Sequence, residues 1–315
     1  MKKTPKLLIL AGTVLAFLFL FGIIFYNNFI KKSIYEENSQ HLLSTYEQVD
    51  KTFTMFVQHN WNALSDWSNN LQYLDDAENM KTLWYDFARR KDAWQYQDFY
   101  MFNENCDFIT AAGRDGNAPN IQWIFLDMYE TGQPVISSYI ASDSNRRIVF
   151  ALPMDVPYTI NGITYSGLAV SYNNDVVEKL IAGNIYQGQS DCYILTSDGN
   201  VLLSLEPKTE FLQKISNLFD FLNKYTNMTE TEITDLKKNI KNVSTGSLQC
   251  RYNNKNYYLV YEPTGINDWT IVGIIHDDVV DASMRRIQSI TIVLLLILNG
   301  CIALLLTGTV FALMD

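Results

Sequence analysis

The sequence predicts an α+β protein: a long N-terminal helix followed by two tandem lobes of similar form, flanked by two transmembrane helices. Three observations carry this prediction. Two uncharged apolar runs lie near the ends, an apolar stripe at helical spacing follows the first, and one strand pattern occurs twice in the same order.

The runs are Leu7 to Phe25 and Ser289 to Met314. Each matches the roughly 20 apolar residues that an α-helix needs to cross about 30 Å of hydrocarbon. Lys2, Lys3 and Lys6 give the first run a basic flank, as in a signal peptide. The run is longer than a signal-peptide core, and no small-x-small cleavage site follows it, so it reads as an uncleaved anchor.

Between the runs the chain carries 21 Lys and Arg against 33 Asp and Glu, a net of −12. A surface that acidic repels phosphate backbones, which sets nucleic-acid binding aside. Four cysteines with no C-x-x-C spacing imply neither a disulfide framework nor a zinc site. Cys106 and Cys192 read as small buried residues in strands.

After the first run, Tyr46, Val49, Phe53, Phe56, Asn60, Leu64, Trp67, Leu71 and Leu74 alternate by threes and fours. That is one face of a long helix beginning near Ser33, with Asn60 as its polar member. A shorter helix is expected over 77–94. From Asp98 the period becomes two: FYMFNENCDFITAAG reads as strand, turn and strand, and CYILTSDGNVLLSL repeats that form with Asp198-Gly199 at its turn.

RRIVFALPM, a polar loop and SGLAVSY are likewise matched by NKNYYLVYEPTGINDWTIVGIIH, with Pro153 answering Pro263 and Gly167 answering Gly273. Repetition at that spacing indicates a duplicated domain. Helical inserts are expected at Asn120 to Thr131, stopped by Gly132 and Pro134, and at Lys208 to Lys241.

The organisation read from these features begins with a cytoplasmic N-terminus (1–6), a transmembrane helix (7–26) and a juxtamembrane helix (27–76). A membrane-distal lobe (77–185), a membrane-proximal lobe (186–276), a connecting helix (277–288) and a second transmembrane helix (289–314) follow. The middle is expected outside the cytoplasm of a two-pass plasma-membrane protein.

TGQPVISSY (131–139), RRIVFALPM (146–154), YSGLAVSY (165–172), CYILTSDGNVLLS (192–204) and WTIVGIIHDD (269–278) together resemble the double Cache (dCache) sensor domains of bacterial transmembrane receptors. The resemblance spans residues 27 to 288 and implies two PAS-like lobes. It also implies a small ligand, of unknown class, in the distal lobe. By position, Trp123 and Tyr139 would line that pocket, with Asp143, Arg146 and Phe150 as further candidates. Trp123 and Phe150 read equally well as core, and Arg146 and Arg147 as hairpin surface charges. Amino-acid-binding members place an arginine two residues before the tryptophan and an aspartate on the last strand of that lobe. Here those positions hold Ile121 and, approximately, Tyr172.

No motif of hydrolase, Walker or dinucleotide chemistry is present, so no enzyme, cofactor or metal site is expected within the chain. His276-Asp277-Asp278 reads as the solvated start of a helix rather than as an ion site. Receptors of this layout continue into an output such as a histidine kinase or diguanylate cyclase, expected beyond Asp315, and act as homodimers in the lipid bilayer. Small-x-x-x-small pairs at Gly12–Ala16 and Gly308–Ala312 suit close helix approach. The alternative is a membrane-anchored binding or adaptor protein that signals through a partner.

Overall fold

In the computed structural model, residues 4–71, 93–141, 145–181, 189–205 and 215–281 are described, with residue 185 and parts of 85–91 and 289–300. Helix α1 runs unbroken over Thr4–Leu71, so its backbone is already helical before Ser33. Most side chains of the first apolar run, and most of 289–314, lie outside the described residues, as do Leu74 and much of the helix expected over 77–94. Among the described residues, no helix is long and apolar enough to cross a membrane.

The chain divides into two compact units, Leu43–Ile275 and Met1–Leu42 with His276–Asp315. The first holds two antiparallel sheets. One contains β1 (Asp98–Phe102), β2 (Asp107–Thr110), β3 (Asp115–Asn117), β4 (Val135–Ile140), β5 (Arg146–Ile160) and β6 (Ile163–Asn173), in the order β3-β2-β1-β6-β5-β4. The other contains β7 (Ser190–Leu195), β8 (Val201–Leu205), β9 (Gly246–Tyr252), β10 (Lys255–Pro263) and β11 (Thr270–His276), in the order β8-β7-β11-β10-β9. Without β3 the two orders are the same, so the repeat in the sequence is a repeat of topology.

The hairpins fix the correspondence. Phe102 pairs with Phe108, and Leu195 with Val201, across turns of equal length. The left-handed position of the turn is Cys106 (φ 58°) in one copy and Gly199 (φ 83°) in the other. Cys106 is therefore a buried turn residue rather than a strand residue. Phe102 then faces Gly167 on β6, whereas Leu195 faces Thr270 on β11. Gly167 thus matches Thr270, not Gly273; the two glycines meet different neighbours and share only their residue type.

Two other expectations change. The polar stretch after Pro153 is not a loop: β5 continues to Ile160, turns at Asn161-Gly162 (φ 50° and 82°) and returns as β6. Two consecutive positive φ values make this the tight turn that matches strand twist. In the second insert, residues 206–214 lie outside the description, and the remainder is two helices, α4 (Leu218–Tyr225) and α5 (Glu230–Lys241). The break falls before Thr229, whose hydroxyl and Glu232 carboxylate form a capping box. The first insert is the expected helix, α2 (Gln122–Thr131), ended by left-handed Gly132. A further helix, α3, covers Asn174–Ile181.

The α1 stripe supplies one wall of both sheets. Phe56 meets Phe150 and Tyr172 of the first sheet at ring distances of 5.4 and 5.2 Å, and Trp67 meets Phe99 at 4.2 Å. Phe53 stacks on Trp269 beside the second sheet, and Tyr46 lies against Gly273. Asn60, fully buried, accepts from the Tyr172 hydroxyl at 2.9 Å and donates to the Phe56 carbonyl. The opposite faces are covered by α2 in one lobe and by α4 and α5 in the other. The lobes are joined by hydrogen bonds from Ser138 Oγ to the Leu202 carbonyl, Asn174 Nδ2 to the Ser204 carbonyl, and Asn267 Nδ2 to the Ile136 carbonyl.

Acidic groups meet where α1 crosses β10. Burial raises the Asp50 carboxyl to about 6, with Glu47 adding to it, and one of its oxygens is buried without a partner. Burial likewise raises Glu262 to about 7, with Asp50 and Glu47 contributing. Both groups bind protons more tightly folded than unfolded. Their stabilisation is therefore complete below their unfolded values near 4 and is lost as pH rises through 6 to 7. Both are partly exposed, so the expected loss between pH 5 and pH 8 is about 1 kcal/mol. Asp50→Asn should stabilise the protein at pH 8 and flatten the dependence. Urea midpoints that move equally with pH in both proteins would refute this.

Candidate ligand-binding site

Along a strand, alternate side chains go to opposite faces, and the first sheet uses both. On β5, Ile148 and Phe150 point to α1, while Arg147, Val149 and Ala151 point the other way. On β1, Phe99 goes to α1, and Asp98, Tyr100 and Phe102 go to the α2 side. Beyond the end of α2 nearest β2 and β3, no helix among the described residues covers this second face. A cavity of about 410 Å³ opens there, between the sheet and the segment 114–121. That size suits a small ligand.

An ionic group marks one side. The Asp98 carboxylate accepts from Arg147 Nη1 at 3.1 Å on one oxygen and from Arg114 Nη2 at 3.4 Å on the other. The Arg147 and Asp98 side chains are only 14% and 17% exposed, whereas Arg114 is 71% exposed at the rim. Apolar wall comes from Phe108, Ala118 and Ile121.

The floor is hydroxylic. Tyr100 and Ser171 are buried, and the side-chain oxygen of each makes no hydrogen bond of good geometry. The Tyr139 hydroxyl lies close to both and to Arg147. Burial drives the Tyr100 phenol well above its ordinary value and raises Tyr139 also, so both stay protonated as donors. Buried polar groups nearly always have a partner, and the Tyr100 oxygen, short of one on the cavity wall, marks a place where another molecule's polar atom fits.

Of the residues read from the sequence, Tyr139 lines this cavity. Phe150 does not: it is fully buried on the α1 face. Arg146 shares that parity, and its guanidinium reaches Ser138 Oγ at 3.5 Å, on the side of the sheet away from the cavity. Trp123 stands on α2 and is 55% exposed. Asp143 lies outside the described residues. Ile121 lines the cavity where amino-acid-binding members carry arginine, while Tyr172 faces Asn60 and α1. Asp98, Tyr100 and Arg147 were not foreseen; alternation along β5 puts Arg147 on the face opposite Phe150 and Arg146, but does not say which face meets a ligand.

The same face of the second lobe holds no such cavity among the described residues. Register places Asp191 at the position of Asp98 and Tyr193 at that of Tyr100. There the space is filled by Leu218, Phe219, Leu222 and Leu236 from α4 and α5. In the other compact unit, His276, Asp277 and Asp278 bring one ligand atom each within 4.8 Å of one another. His276 Nδ1 accepts from the Asp278 amide at 3.0 Å, as a residue capping a helix start does.

No curated protein sequence matches the chain. Among solved structures, the sensory domain of the Campylobacter jejuni chemoreceptor Tlp3 with isoleucine bound aligns with a TM-score of 0.51 at 11% identity, covering 80% of this chain and 98% of that one. The ligand-binding domain of the Pseudomonas aeruginosa amino-acid chemoreceptor PctC, in complex with GABA, aligns at 0.51 and 11%, covering 75% and 98%. An extracellular domain assigned to a histidine kinase, mmHK1S-Z3, aligns at 0.50 and 15%, covering 81% and 97%. At these identities the likeness is one of fold. The Cache domain family dCache_1 matches residues 26–284, which is most of the chain. The chain belongs to the double Cache family.

Proposed function

We propose that this chain is the extracytoplasmic ligand-sensing region of a two-pass plasma-membrane receptor, with the distal lobe binding a small molecule. The carrying observation is the cavity, lined by the Asp98–Arg147 ion pair and by a Tyr100 hydroxyl that makes no hydrogen bond of good geometry, while the matching face of the proximal lobe is filled by side chains of α4 and α5. Tyr139 is the residue from the sequence reading retained as a ligand contact.

Three features support transmission through the second transmembrane helix to a cytoplasmic kinase or cyclase output. Strand β11 passes into helical residues 277–281 with no linker. Within that compact unit, Asn38 Nδ2 of α1 donates to Asp281 Oδ1 at 2.6 Å, tying the outgoing helix to the returning one. Phe21, Phe25 and Phe29, and Ile290, Val293, Leu294, Leu296 and Ile297, are each more than half exposed. Contiguous apolar side chains of that kind need a cover, and lipid supplies it. Homodimers, as read from the sequence, complete the proposal.

Topology is the direct test. Cys192 and Cys250 are buried and their thiols are raised by burial, Cys250 to about 12, so they react poorly. Lys255→Cys, at an exposed site, should label with an impermeant maleimide on intact cells, and Lys3→Cys only after permeabilisation. The reverse pattern, or equal labelling of both, would overturn the topology.

A further inference from the structure

We infer that the distal cavity takes a small aliphatic carboxylate that carries no ammonium group, held by Arg147 and the hydroxyls of Tyr100 and Tyr139. This rests on the reading of the lobe as a ligand sensor and names the class of its ligand.

The charge balance of the cavity carries the inference. Asp98 is engaged on both oxygens by guanidinium groups, so the group of three bears one net positive charge. An entering carboxylate neutralises it. An entering ammonium meets two arginines and an aspartate already paired with both. The remaining acid of the lining, Asp115, sits on the short exposed strand β3, where an ion pair is screened by water and gains little. An ammonium placed deeper would be buried without a counter-ion, a costly position.

The hydroxyls point the same way. Tyr100 and Tyr139 both line the cavity, and the buried Tyr100 oxygen makes no hydrogen bond of good geometry. Beside a cation, hydroxyl groups turn their hydrogens to an anion, and such charge-assisted bonds are the strong ones. Phe108 and Ile121 leave an apolar wall for a short chain. The proximal lobe has the matching aspartate and tyrosine, Asp191 and Tyr193, yet six residues before the matching proline it carries Tyr257 in place of Arg147, and it is packed shut.

The test is titration calorimetry on the purified full chain with three matched series of two to five carbons: straight-chain monocarboxylates, the corresponding α-amino acids and the corresponding primary amines. At least one carboxylate should bind about 10-fold or more tighter than its amino-acid counterpart, and the amines should not bind. Arg147→Ala should weaken that carboxylate by about 10- to 100-fold, the range for a hydrogen bond to a charged group. Tyr100→Phe guards against misfolding: it deletes a hydroxyl that makes no hydrogen bond of good geometry, so the unliganded melting temperature should hold or rise while affinity falls several-fold. Amino acids binding as tightly as carboxylates, no binding in any series, or unchanged affinity in Tyr100→Phe would each overturn the ligand class. None of these outcomes touches the maleimide labelling pattern, so the ligand class can fail while the receptor reading stands.

Discussion

Replacing Gly273 with alanine should destabilise the protein by about 3 kcal/mol, the upper range for forcing an extra group into a packed core. A Cβ at that position would fall within the ring of Tyr46, which is fully buried between α1 and β11. Neither partner can yield easily. Ile271 and Ile275 flank Gly273 on the strand and are themselves fully buried, and Tyr46 is fully buried one turn before Val49 of the apolar stripe. Tyr46→Ala alone should cost about 3–5 kcal/mol through the cavity it leaves. The double variant should be less destabilised than the sum, because the new methyl occupies part of the vacated space. Denaturant midpoints of the four proteins measure this coupling. A Gly273→Ala protein within 0.5 kcal/mol of the parent, or strictly additive effects, would mean that the helix does not lie against this strand.

Phe150→Ala is expected to cost about 3–4 kcal/mol, typical of removing a buried ring. Phe150 contacts Phe56 edge-on at 5.4 Å and Tyr172 at 6.0 Å, on the side of the sheet away from the cavity. The change should lower the denaturant midpoint sharply and leave the affinity of the folded protein for its carboxylate within about 2-fold, since an unbroken strand separates it from Arg147. If stability held while affinity fell, Phe150 would be a ligand residue, as its place in the sequence pattern suggested.

The two arginines beside it show what the sequence could and could not disclose. The strand through Pro153, its antiparallel partner and the helix packed below were legible, because alternation and the threes-and-fours stripe survive in one dimension, whereas the polar continuation to Ile160 read as a loop. Which face held the ligand was not. The two faces of β5 are equally apolar near Phe150, and only contact with α1 separates them. Asp98 was passed over for a related reason: its partners Arg114 and Arg147 lie 16 and 49 residues away, brought together by the order β2-β1-β6-β5. The mismatch between Gly167 and Gly273 has a different origin. Glycine is required wherever a bulky neighbour crowds a strand, as Phe102 does at one and Tyr46 at the other, and the same letter arises independently in each lobe.

The helical wall common to both sheets has a consequence for how the molecule comes apart. Ile148, Phe150 and Tyr172 on one sheet, and Ile271 and Ile275 on the other, are all fully buried, and the same stretch of α1 runs past both sheets. Neither half can be excised without stripping its sheet of a face, so a fragment ending between the halves should aggregate rather than fold. Amide protons of both central strands, β6 and β11, should exchange in a single slow cooperative event. Two sheets of one topology are expected to melt as one unit.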